Sequence, residues 1–268
     1  MGKYKHTVIA NGNTLDFKFP RSWKELNQRQ LKAVLVFLSA YDKTTALLRI
    51  TLFFANMAIV EKREGTALCR VVTDKGMMSV NLSSEDLLAL TEYLQWVLEP
   101  GTHPVLLDEL YDRKPIDKLL HGVPFETYIM LDNFYQGYLM SKNPLAVVEM
   151  ANLVYSRPVV RNDWPDDGEY SVQPRIDKLK PYEFFSVFQW YTQLKTHFSM
   201  QFSNFFKRTE GGGSQSVVEA MNAQIRALTG GDVTKEKEIL AMDTHRALVE
   251  LNAQAEEYED LKKQYNAK

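Results

Sequence analysis

The sequence predicts an α+β, predominantly helical protein: a small N-terminal unit with two β-hairpins, a helical body, and a C-terminal amphipathic helix. Three observations predict it. β-prone runs joined by Asn, Asp and Gly turns are concentrated before Leu82. Beyond Leu82 apolar residues recur at steps of three and four, the spacing of one helical face. Glycine runs at Gly211-Gly212-Gly213 and Gly230-Gly231 then set off the final stretch.

Taken in order, Val8, Leu15, Phe17 and Phe19 flank Asn11-Gly12-Asn13, residue types that tolerate the positive φ of a tight hairpin. Pro20 ends that hairpin, and Ser22 is placed to cap a helical turn begun by Trp23 and Leu26. Leu31, Val34, Leu35 and Leu38 then predict a helix, with a second over residues 44–60. A second hairpin joins 68–73 to 77–82 across Asp74-Lys75-Gly76. Ser83 with Asp86 reads as a capping box for a helix carrying Leu87, Leu90, Leu94 and Val97. Further helices are expected over 105–111, 125–139, 145–155 and 182–208, the last with Phe184, Phe188, Tyr191, Phe198, Phe202 and Phe205 on one face. Between them, 156–181 is a proline-broken, acidic excursion too long for an ordinary loop. Helices over 215–229 and 243–264 follow the glycine tether. The expected division is 1–82, 83–210 and 211–268.

The chain has 268 residues, of which 45% are hydrophobic and 25% charged, with formal net charge −2; its mean hydropathy is −0.31. A chain of this size buries roughly 70 to 75% of its unfolded surface, so metal or disulfide staples are not needed. The lone Cys69 forms no internal bridge, and no secretory leader pattern opens the chain, so a cytoplasmic setting is expected. No run approaches the ~20 apolar residues of a membrane span, and near-neutral charge disfavours binding driven by phosphate neutralisation. Neither a membrane nor nucleic acid is an expected partner.

Signatures of catalysis are absent from the sequence. There is no phosphate-cradling glycine loop followed by Lys and Ser/Thr, no dinucleotide glycine triplet, no metal-binding His pair flanking a Glu, and no nucleophile elbow. Gly211-Gly212-Gly213-Ser214 lacks the strand before it and the Lys after it, so it reads as a tether. His6, His103, His121, His197 and His245 are dispersed without ligand spacing, and no metal or cofactor is expected. Asp163, Asp166, Asp167 and Glu169 offer oxygens but miss the alternation of a calcium loop, which favours a solvated acidic turn. The aromatic face around Phe184–Phe206 reads as core, with a ligand cage as the alternative. Lys195, Lys207 and Arg208 are too sparse for a single-strand nucleic-acid platform.

Three stretches resemble a known family. Phe19-Pro20-Arg21-Ser22-Trp23-Lys24-Glu25-Leu26 is similar to the opening of tail assembly chaperones of tailed bacteriophages and prophages. Phe125, Tyr128, Asp132, Tyr135 and Tyr138, with Leu153-Val154-Tyr155-Ser156-Arg157-Pro158, resemble the middle of the same proteins. Residues 221–258, including Ala227-Leu228-Thr229-Gly230-Gly231-Asp232 and Ala247-Leu248-Val249-Glu250-Leu251, resemble proteins encoded near the tape-measure gene in phages and prophages of Bacteroides and its relatives.

The resemblance implies a tail assembly chaperone that binds the tape-measure protein in the cytoplasm of a bacterial host. The alternative is a structural virion component of the tail or head-tail connector, in which the same surface mediates self-association. Both are non-enzymatic. On the residues themselves, the expected partner-binding face is Leu248, Leu251, Ala255, Tyr258 and Leu261, a seam of apolar side chains on an otherwise charged helix. The competing reading is that this helix folds back on its own core.

Overall fold

The computed structural model describes residues 4–10, 13–74, 76–158, 175–210 and 217–266. The fold is α+β and mainly helical, with a two-stranded and a three-stranded antiparallel sheet at the N-terminal end and, after them, helices with one pair of two-residue strands. It divides into two compact units, 1–103 and 104–268, so the helix that follows the second hairpin belongs with the strands before it.

In the first unit, β1 (Tyr4–Ala10) and β2 (Asn13–Phe19) form an antiparallel pair with Val8 opposite Leu15. The period-two alternation buries Leu15, Phe17 and Phe19 on one face. Residues 11–12 of the expected turn lie outside the described residues. The Pro20–Leu26 motif has a local structural role. Trp23 Nε1 donates to the Glu99 carbonyl at 3.0 Å, Trp96 Nε1 donates to the Pro20 carbonyl at 3.1 Å, and the two indoles meet edge to face at 5.6 Å. Gly101 completes this clasp at φ +76°, where a Cβ would stand 2.8 Å from Trp23 Cδ1. Ser22 makes no capping bond. The acceptor is instead Asn27, in a capping box with Gln30, at the start of α1 (Gln28–Ala40).

α2 (Lys43–Phe54), capped by Asp42, stops short of the expected Val60. Asn56 takes φ +48° and turns the chain into β3 (Met57–Arg63), which pairs with β4 (Thr66–Thr73); β4 in turn pairs with β5 (Gly76–Ser83). The second hairpin is therefore part of a three-stranded sheet. Pairing to β4 overrides the helical spacing, and β-branched Ile59 and Val60 favour that outcome. The register shifts between Ile59 and Glu61, and the charged Glu61-Lys62-Arg63 end follows, both features that guard an edge strand. Ala67, Cys69, Val71, Val80 and Leu82 form the buried face. The capping box of Ser83 and Asp86 opens α3 (Ser84–Glu92), which ends before Leu94; a 3-10 turn (Gln95–Leu98) carries Val97, and Leu90, Leu94 and Val97 are buried.

The second unit opens without the helix expected over 105–111. Tyr111 and Asp112 take positive φ, and β6 (Arg113–Lys114) follows, pairing with β7 (Arg157–Pro158). Leu106, Leu107 and Leu110 are buried nonetheless. Distant side chains take up some of the segment's backbone groups: Gln193 Oε1 accepts from Val105 N at 3.0 Å and the Tyr155 hydroxyl donates to the Leu107 carbonyl at 2.9 Å, while Leu110 exchanges backbone bonds with Arg113. The core lies among α4 (Phe125–Ser141), α5 (Leu145–Val154) and α6 (Pro181–Gln201), with Phe125, Val154, Trp190, Tyr191, Leu194 and Phe198 essentially solvent-free. The aromatic face is thus mostly core. The acidic 163–169 stretch and the Gly211–Ser214 tether lie outside the described residues.

The expected single helix over 182–208 is broken at Phe202, whose φ −114° and ψ 51° end α6 and set off α7 (Ser203–Glu210). α8 (Val217–Thr229), a 3-10 turn (Val233–Lys235), α9 (Glu236–Ala241) and α10 (Thr244–Asn266) complete the unit. No helix among the described residues is long and apolar enough to cross a membrane.

Candidate interaction surface

The root of α10 is stitched to the loop that precedes α4. Asp243 caps the helix through Oδ1, which accepts from Arg246 N at 3.1 Å, while its Oδ2 accepts from Gly122 N at 2.7 Å. Thr244 donates to the Val123 carbonyl through both its backbone N, at 2.9 Å, and its hydroxyl, at 2.7 Å. Phe125 N donates to the Met242 carbonyl at 2.8 Å. Burial raises the Asp243 carboxyl, but N–H donors from Arg246, Gly122 and His245 outweigh it and hold the group below its ordinary range.

Beyond the root, α10 packs on α4, α7 and α8. Ala247 and Leu248 are fully buried, Leu251 is 4% exposed and Ala255 1%. Asn252, one position after Leu251, turns its Oδ1 to the start of α7 and accepts from Asn204 N at 3.0 Å and Phe205 N at 3.2 Å. The break at Phe202 thereby costs little, because the amides it frees find this acceptor.

The structure divides the expected partner-binding face. Leu248, Leu251 and Ala255 are covered by the unit's own helices, which corrects the expectation that they dock a partner: the seam finds its cover within the same unit. Tyr258 and Leu261 stay in solvent, at 49% and 65% exposure, and Tyr265 continues the row at 83%. These three sit at i, i+3 and i+7 on one face, the spacing of a two-turn apolar stripe. Glu256, Glu257, Asp260, Lys262 and Lys263 around it are exposed. Helix-forming composition and the Lys263–Asp260 pair at 3.0 Å support helicity where packing does not.

Two polar centres elsewhere in the unit are internally satisfied. Glu183, 4% exposed, accepts from Lys180 N and the Tyr111 hydroxyl at 2.9 Å and from the Tyr182 hydroxyl at 3.0 Å. Burial first, then Glu183, pushes the Tyr111 phenol up to about 12. Asp132 binds Lys195 at 2.6 Å and the Tyr191 hydroxyl at 3.1 Å. The Asp132 centre ties α4 to α6, and the Glu183 centre ties the start of α6 to Tyr111 in the loop before β6.

The fold also brings together two histidines that spacing in the sequence separates. His121 and His245 stack with ring centroids 3.9 Å apart. Among the described residues no group of three or more His, Cys, Asp or Glu could hold a metal ion, and Cys69 is buried. A surface recess of about 400 Å³ lined by Ile225, Arg226, Thr229, Val233 and Glu236 lies between α8 and α9. It carries no convergent acid, base and nucleophile. No known protein family, curated protein or solved structure matches this chain.

Proposed function

We propose that this protein is a non-enzymatic assembly factor of tailed phages or prophages that binds a helical partner through the distal half of α10. The tape-measure protein is the partner that the sequence resemblance suggests. One observation carries the reading: Tyr258, Leu261 and Tyr265 form an apolar row on a charged helix, with about half or more of each side chain in solvent. Burying each such side chain is worth roughly 1.5 to 3 kcal/mol, enough in sum for a partner helix to compete with water.

The test is co-expression of the chain with a phage tape-measure protein. Copurification by the wild type, lost in a Tyr258→Asp/Leu261→Asp variant that melts like wild type, is the expected result. Equal copurification by that variant removes the stripe from the interface. Mass spectrometry of purified virions separates the two assembly roles, since a chaperone is absent from the particle and a structural subunit is present.

A further inference from the structure

The histidine pair at the root of α10 is unused by any reading above, and its position is chemically specific. His245 is the second residue of α10, inside the turn where unpaired N–H groups give the helix its positive end. Its Nε2 lies 2.6 Å from the Leu119 carbonyl, so Nε2 carries the proton of the neutral ring. One face of the ring is against His121 at 3.9 Å, with the planes 16° apart, and its edges meet Phe198 at 5.4 Å and Phe202 at 6.0 Å from α6 and its C-terminal turn. The charged groups that act on it are His121 and Asp117 from the loop and Asp243 from the start of α10; Phe198 and Phe202 bring no charge from the α6 side. Asp117 is engaged by Leu119 N and His121 N, and Asp243 by Gly122 N and Arg246 N.

The geometry points to an acid-sensitive latch at the root of α10: when both stacked rings carry protons, they repel across van der Waals distance and the loop 117–122 lets go of the helix. Asp117 and Asp243 offset part of the cost of a single added proton. A second adds like charge a few ångströms away, beside a helix N-terminus already positive, where repulsion is strong. The latch acts on the part of α10 that holds Leu248 and Leu251 in place, so it would loosen the platform from which the distal half projects, whatever that half binds.

The sign follows from burial. Desolvation is the largest influence and lowers the proton affinity of His245 in the folded protein; the hydrogen bond to Leu119 opposes it, His121 lowers the affinity further, Asp243 and Asp117 raise it, and the net direction is down. The folded state thus binds fewer protons than the unfolded one. Stability is full above the unfolded value near 6.5 and falls as pH drops through and below it.

The test is hydrogen exchange of 244–255 in the full chain at pH 7.5 and 5.5, corrected for intrinsic rate, in wild type, His121→Ala and His121→Asn. His121 is exposed, so its removal spares the fold. The expected result is that protection in wild type falls severalfold at pH 5.5, while both variants, which lack the second ring, lose less. Unchanged wild-type protection, or an equal loss in both variants, overturns the latch.

Discussion

The two halves of α10 share one sequence pattern and meet opposite fates. Leu248, Leu251 and Ala255 lie in the proximal half and Tyr258 and Leu261 in the distal half of one continuous helix, yet the first three are buried and the other two are half-exposed or more. Periodicity reports that a face is apolar. What covers that face is decided by elements remote in sequence, here α4, α7 and α8. A seam read from spacing alone therefore mixes two surfaces with different jobs.

Mutations sharpen that contrast. Leu248→Ala removes a fully buried side chain and should cost roughly 2 to 5 kcal/mol, lowering the melting midpoint by about 5 to 15 °C in a differential scanning experiment. Asn252→Ala leaves two amides of α7 without their acceptor and should cost about 1 to 2 kcal/mol, read from the urea midpoint at unchanged slope. Tyr258→Asp with Leu261→Asp should change stability by less than about 1 kcal/mol, because about half or more of each side chain is already in water. A large loss in the last variant would mean that the two halves are one surface after all. A negligible loss in the first would mean that the proximal seam is not core.

How much of this was legible in the sequence depends on whether the cause is local. The hairpin at Val8–Phe19, the capping box at Ser83 and Asp86, and the helices near 125–141, 145–154 and 217–229 are set by neighbouring residues, and their spacing reveals them. β3 was not legible, because Met57–Arg63 is a strand only when β4 lies beside it. Residues 105–111 carry helix-like apolar spacing, but Val105 N and the Leu107 carbonyl take their partners from Gln193 and Tyr155, far along the chain. The break at Phe202 likewise depends on an acceptor from Asn252. Of the candidate surface, the apolar row at Tyr258 and Leu261 could be read from the chain, and its continuation to Tyr265 could have been by extending the same step. The stacking of His121 on His245 could not, since nothing near either residue hints at the other.

The Asn252 bond also constrains the order in which this unit is made. The acceptor that starts α7 is encoded 48 residues after the amide it receives. At ribosomal rates of about 5 to 20 residues per second, α7 therefore waits roughly 2 to 10 s for the oxygen that fixes its first turn. During that interval the chain emerging from the ribosome holds Phe202 and Phe205, both buried in the finished protein, without the helix that will shelter them. α10 is synthesised after the helices it covers, so an interruption of translation before residue 252 leaves an aromatic surface exposed rather than a smaller finished domain.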